Sequence, residues 1–135
     1  MSKVTTVNRY QSGRVRLVLR AGSIVFGLSA IALIAAPGSF NALLGLTTTL
    51  DLEWAMRMIG ITLVALAGNM FSVSSRGSDE AVRFSGRVML VSAFALGVVT
   101  LIVPVPLTWF AIAYAVVGFA FSAAYTAALF GSKDN

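Results

Sequence analysis

The residues best able to do chemistry in this sequence are an acid and a base one helical turn apart. Glu53 and Arg57 stand in the segment DLEWAMRMIGI, at the start of a long apolar run. On a helix, an acid four residues before a base can form an ion pair in its favourable order. If the helix enters a membrane near Asp51, Arg57 lies roughly 9 Å along it by helical rise. Two roles are open: an interfacial anchor paired with Glu53, or a cation that contacts an anionic headgroup or an acid of a partner protein.

The usual catalytic side chains are missing from the sequence. It contains no histidine and no cysteine, so imidazole bases, thiol nucleophiles and the commonest metal ligands are absent. Its acids lie at the edges of apolar runs or in a tail: Asp51, Glu53, Asp79, Glu80 and Asp134. No carboxylate therefore stands in mid-membrane, where proton-coupled transporters commonly place one. We predict a protein that is not an enzyme, with no catalytic residue, no metal site and no cofactor.

The composition predicts that these residues are carried by membrane-spanning helices. Of the 135 residues, 58% are hydrophobic and only 11% are charged, which is too apolar for a soluble domain of this size. Apolar runs cover about residues 17–36, 55–73, 88–103 and 107–130. Each is close to the ~20 residues that cross a bilayer as a helix, and none alternates as a membrane strand does. The predicted fold class is an all-α integral membrane protein.

The predicted architecture is two antiparallel hairpins of transmembrane helices. Helices are expected at about 14–36, 52–74, 79–103 and 107–130, within a transmembrane domain of residues 14–130. A polar N-terminal segment, 1–13, and a tail, 131–135, flank this domain. Ser78 or Asp79 is expected to cap the third helix, and Asp79 is expected to pair with Arg83.

The distribution of Lys and Arg predicts the orientation. Nine of the ten basic residues lie before or at the start of the first run, separate the second from the third, or follow the fourth, and Arg57 is the exception. The positive-inside rule then places both termini in the cytoplasm. The use of arginine over lysine and the high alanine content suit a high-GC bacterium, and we expect the chain in the inner membrane of such a cell. Four arginines near the apolar runs are predicted to contact anionic lipid: Arg16, Arg20, Arg83 and Arg87.

The fourth run carries two faces of small residues, which let helix backbones approach closely in lipid. The first face is Ala111, Ala115, Gly118, Ser122 and Thr126. The second is Ala120, Ala124 and Ala128. One face would serve the bundle, so two faces predict that this helix also meets another subunit. Asn69, the only amide within an apolar run, is expected to form an interhelical hydrogen bond, with contact to a ligand as the alternative.

A proline follows the first span, then the residues FNALLG, then tryptophan, arginine and glycine at positions 54, 57 and 60. This order, within residues 37–68, resembles the small four-helix bacterial membrane proteins of the DoxX-like type. Some members of that family are associated with oxidoreductase complexes as membrane subunits. The resemblance implies an accessory membrane role and transfers no catalytic residue.

Two functions remain open at this point. The first is a non-catalytic accessory or structural subunit that packs against partner membrane proteins or against itself. The second is a small oligomeric transporter or anionic-lipid-binding protein that uses Arg57. In both, the surrounding partner is the lipid bilayer, and nucleic acid is not expected as a ligand because the arginines lie close to the membrane.

Overall fold

The structure is a computed structural model that describes the backbone of residues 2–131 and the side chains of residues 9–131. Within that part the chain is all-helical, and four of its helices are long and apolar enough to cross a membrane. This confirms the predicted multi-pass fold. The helices are α1 (Ser2–Ala35), α2 (Pro37–Leu43), α3 (Leu50–Arg76), α4 (Asp79–Leu101) and α5 (Trp109–Phe130).

The bounds of the four long helices agree with the prediction except at the N-terminus, and the short helix α2 was not predicted. The long helices α3, α4 and α5 begin and end within two residues of their expected bounds. The helix α1, however, begins at Ser2, so most of the segment 1–13 is helical rather than an irregular extension. No proline interrupts the chain before Pro37, and Ser12 is already buried in the bundle. Met1 and most of the predicted tail lie outside the described residues.

Proline and glycine set the shape of the connection between α1 and α3. Ala36 leaves the helical region, with φ −141° and ψ 62°, because the residue before a proline is disfavoured there. Pro37 then opens α2, which ends in a Schellman motif: Gly45 donates to the Ala42 carbonyl at 3.0 Å and Leu46 to the Asn41 carbonyl at 2.9 Å. Gly45 has φ +81°, a left-handed conformation that glycine adopts without steric cost.

The bundle is built from two close helix pairs. In the first pair α3 packs against α1, and a Cβ added at Gly60 would lie 3.2 Å from the Ala30 carbonyl oxygen. In the second pair α5 packs against α4, and a Cβ at Gly118 would lie 3.1 Å from the Ala93 carbonyl oxygen. The helix α1 joins the pairs by packing against both α4 and α5, whereas α3 and α4 share few contacts.

The two ends of the bundle differ in packing. We call the end that holds the starts of α1 and α4 the terminal end, and the opposite end the loop end. A cluster of large buried side chains lies in the terminal half: Val15, Leu19, Met70, Val82, Met89, Tyr125, Ala128 and Leu129. At the loop end, Thr108 caps α5 by accepting from the Ala111 N–H and donates to the Leu43 carbonyl at 2.6 Å, which ties α2 to α5.

Candidate functional site

Arg16 holds the turn between α3 and α4 against α1. Its Nη1 donates to the Ser74 carbonyl at 3.0 Å, and its Nη2 donates to the Gly77 carbonyl at 2.6 Å and to Asp79 Oδ1 at 3.1 Å. The first two acceptors lie at the C-terminal end of α3, where the helix dipole favours a cation. One guanidinium therefore caps α3 and forms an ion pair with the first residue of α4.

Arg14 caps the C-terminal end of α5. Its Nη2 donates to the Gly131 carbonyl at 2.8 Å and to the Ala128 carbonyl at 3.2 Å, and its guanidinium carbon lies 4.8 Å from the centre of the Tyr10 ring. Residues two apart on a helix point in nearly opposite directions. The part of α1 that holds Arg14 and Arg16 thus lies between the C-terminal ends of α3 and α5, with one arginine directed to each. Arg14 was not among the predicted site residues. Its position two residues before Arg16, which directs it to the other side of α1, could have indicated a second contact.

The capping of α4 agrees only in part with the prediction. Ser78 is the N-cap and accepts from the Ala81 N–H at 3.2 Å, which was one of the two expected arrangements. The expected pair of Asp79 with Arg83 is wrong, because α1 places the Arg16 guanidinium on Asp79 instead. This is the only ion pair among the side chains of residues 9–131.

The four arginines expected to contact lipid have different surroundings. Arg16 is 25% exposed and is held by protein acceptors, so its guanidinium is largely occupied within the bundle. Arg83 is half-buried and donates to Ser12 Oγ at 3.4 Å. Arg20 and Arg87 are exposed and have no hydrogen bond or ion pair with residues 9–131, which leaves them accessible to lipid headgroups.

Glu53 and Arg57 do not form the expected ion pair. Arg57 is exposed and its Nε donates to the Ile34 carbonyl at 3.4 Å, at the C-terminal end of α1. Glu53 turns instead toward the start of α2, where its Oε1 would lie 3.1 Å from a Cβ added at Gly38. Each charge thus lies at the helix end that its sign favours, which separates the two side chains.

Asn69 makes no interhelical hydrogen bond within the bundle, contrary to expectation. The residue is exposed, and its Nδ2 donates to the Ala65 carbonyl at 3.0 Å in the same helix. Its neighbour Met70 is buried against α1, so Asn69 falls on the outward side of α3. The side of α3 that faces the bundle depends on the rotation of the helix about its own axis. An apolar run without clear periodicity does not reveal that rotation.

The first small-residue face of α5 packs inside the bundle. Ala111, Ala115 and Ser122 are buried, and Ser122 Oγ donates to the Leu90 carbonyl of α4 at 3.2 Å. Gly118 brings the two backbones together, while Thr126 is exposed and donates to a carbonyl of its own helix. The second face is not one continuous surface: Ala128 is buried, Ala124 half-buried and Ala120 exposed.

The outward face of α3 was not predicted, although its spacing is visible in the sequence. It consists of five exposed residues at alternating spacings of three and four: Thr62, Ala65, Asn69, Ser72 and Arg76. We call this set the α3 polar face. Of the four spans α3 is the least buried. In its most apolar stretch of 18 residues, 17% is buried inside the bundle, against 22% for α4 and 28% for α1 and α5.

A partly open cavity of about 260 Å³ lies in the loop half of the bundle. It is lined by apolar side chains from α1, α2, α3 and α4, by Thr100 of α4 and by Tyr114 of α5. A smaller cavity of about 40 Å³ extends from Tyr114 toward Tyr125 in the core. Arg57 lines neither cavity. Within residues 9–131, no three acidic side chains come together as a metal site would require.

Comparisons with models of protein families, with curated proteins and with solved structures find no match to this chain.

Proposed function

We propose that this protein is a non-catalytic membrane subunit that packs against partner membrane proteins through the α3 polar face. The observation that carries the proposal is that α3, the least buried span, directs Thr62, Asn69 and Ser72 away from its own bundle, together with the small residue Ala65. Small residues and side-chain hydrogen bonds are what membrane helices use to associate, because lipid removes the hydrophobic drive between them.

The remaining exposed surfaces support this choice of face. Large apolar side chains dominate the outward sides of the other spans, among them Leu28 on α1, Val91 on α4 and Val116 on α5. Such side chains are well solvated by acyl chains. A polar amide facing lipid is disfavoured unless it finds a partner, so the α3 polar face is the surface that gains most from contact.

The bacterial inner membrane, with both termini in the cytoplasm, is the location that we propose. Arg14 brings the start of α1 and the end of α5 to one end of the bundle, and most arginines lie at that same end. The positive-inside rule assigns this end to the cytoplasm. The resemblance to DoxX-like proteins supports the same accessory role.

Native mass spectrometry of the protein released from its own membrane in mild detergent tests the proposal. We expect a stoichiometric complex, and we expect it to dissociate when leucine replaces both Ala65 and Ser72. The matched control replaces Val64 and Phe71, which are exposed on another side of α3, with leucine and should leave the complex intact. A wild-type protein that is monomeric throughout, or a complex that survives the double substitution, would contradict the proposal.

Binding of an anionic lipid headgroup at Arg57 is a second candidate function. Only Nε of this guanidinium has an acceptor among residues 9–131, which leaves its four terminal N–H groups for a phosphate. In nanodiscs that contain phosphatidylglycerol, Arg57→Gln should lower the lipid retained by the protein in native mass spectrometry. Arg57→Lys, which keeps a positive charge at the same position, is the control and should retain the lipid. Equal retention in the wild type and in Arg57→Gln would exclude this candidate.

A further inference from the structure

We infer that the partner of the α3 polar face is a second copy of this chain, arranged about a two-fold axis parallel to the membrane normal. The inference rests on the proposed function, and it names the partner that the same face takes. It is drawn from the hydrogen-bonding capacity of Asn69, from the charges that flank the face, and from the spacing of its residues.

Asn69 is chemically complementary to itself. The bond from Nδ2 to the Ala65 carbonyl uses one of its two amide hydrogens and leaves the other hydrogen and the side-chain oxygen without a partner in residues 9–131. Two copies inserted with the same orientation carry Asn69 at the same depth. Across a two-fold axis, each amide can donate to the oxygen of the other, as an isologous interface requires.

The charges at the terminal end of the face are also self-complementary. Arg76 ends α3, and Glu80 lies in the first turn of α4, on the other side of the short turn. Both are exposed, and neither forms an ion pair within residues 9–131. In a two-fold dimer, Arg76 of each copy can pair with Glu80 of the other. That pairing offsets the repulsion between two arginines brought to the same level.

The spacing of the face fits a helix–helix seam. Alternating steps of three and four residues are the pattern of left-handed helix pairs, which cross at about +20° in membranes. From Thr62 to Arg76 the face runs about 21 Å by helical rise. It therefore covers much of the ~30 Å hydrocarbon core, and Ala65 and Ser72 permit close approach on either side of Asn69.

Single-cysteine crosslinking tests this arrangement without background, because the chain has no native cysteine. Ala65→Cys places the thiol in the α3 polar face. The control Val64→Cys places it on the adjacent residue, which is exposed but rotated by about 100° around the helix axis. In liposomes at a low protein-to-lipid ratio, copper-phenanthroline oxidation should convert Ala65→Cys to a disulfide-linked homodimer. Val64→Cys should give little. Equal yields from the two variants, or a monomeric Ala65→Cys, would overturn the inference.

Four further variants examine the chemistry of the interface. Fluorescence energy transfer between labelled copies should show a dimer affinity reduced about 3- to 20-fold by Asn69→Leu, the range measured for hydrogen bonds between membrane helices. Asn69→Gln should retain most of that affinity. Arg76→Glu should weaken the dimer, and adding Glu80→Arg should restore it. An Asn69→Leu protein that dimerises as tightly as the wild type would also overturn the inference.

Photocrosslinking in the native membrane, with a benzophenone maleimide attached to Ala65→Cys so that the partner needs no cysteine, separates this inference from the proposed function. If Ala65→Cys is joined there to a different protein and never to itself, the inference fails and the proposed function stands. If it is joined to neither, both fail. A homodimer in the native membrane as well as in liposomes supports both.

Discussion

Replacing Arg16 by alanine should remove the clamp between α1 and the turn that joins α3 to α4. The substitution deletes the donors to the carbonyls of Ser74 and Gly77 and the ion pair with Asp79. The bundle would then rely on apolar packing alone to hold this turn in place. We expect a folded protein of lower stability, since the adjacent core residues Val15 and Leu19 are untouched.

The expected loss follows from two contributions. A cation at the C-terminal end of a helix contributes ~0.3–1 kcal/mol, rising to ~2 kcal/mol where it is partly buried, as Arg16 is at 25% exposure. An ion pair with a carboxylate that is 44% exposed adds ~0–1 kcal/mol. The free energy of unfolding should therefore fall by about 1–3 kcal/mol in Arg16→Ala.

Equilibrium unfolding in mixed micelles of dodecyl maltoside and SDS, followed by circular dichroism, measures this loss. Asp79→Asn removes only the ion pair and should cost at most about 1 kcal/mol. Arg16→Lys keeps the charge but cannot reach several acceptors with one planar group, so it should fall between the two. The reasoning is refuted if Arg16→Ala lies within about 0.5 kcal/mol of the wild type, or costs no more than Asp79→Asn.

Three further substitutions test one close contact, one backbone conformation and one helix cap, each with the same unfolding assay. Gly118→Leu should destabilise the protein by about 1–3 kcal/mol because the backbone of α4 lies against the glycine. The control Gly27→Ala has open space around it and should not destabilise the protein. Equal effects would contradict the close packing of α5 on α4. Gly45→Ala should cost about 1–2 kcal/mol because φ is +81° there, and a neutral result would argue against that turn. Thr108→Ala should cost about 0.5–2 kcal/mol and Thr108→Ser much less, a difference that disappears if the hydroxyl does not cap α5.

The spans could be predicted from the sequence because their signals are local. Apolar runs of sufficient length, the capping residue Ser78 and the prolines place the ends of α3, α4 and α5 within two residues. The start of α1 was missed because its first turns are polar, and hydropathy does not distinguish a polar helix from an irregular segment. The ion pairs were missed for a different reason: Asp79 was assigned its neighbour in sequence, while its partner comes from α1, which only tertiary packing brings near.

The two candidate interfaces, on α5 and on α3, also depend on tertiary packing that the sequence does not reveal. The small residues of α5 are recognisable from sequence, yet they fit either an internal or an external contact, and the structure turns Ser122 and Gly118 toward α4. For α3 the problem is reversed. Thr62, Asn69 and Ser72 lie within a run that is apolar on every side, so the outward direction of their face depends on which side of α3 packs against α1.

The positions of Arg14 and Arg16 also bear on the order in which the ribosome delivers the helices. The helix α1 leaves first, carrying the capping groups that α3 and α5 lack. The acceptors of Arg16 are complete once Asp79 has been synthesised, so the first hairpin can lock before α4 leaves the translocon. The acceptors of Arg14 arrive only with Gly131, after α5 has been synthesised. In this order of synthesis, α1 offers a capping arginine first to α3 and then to α5.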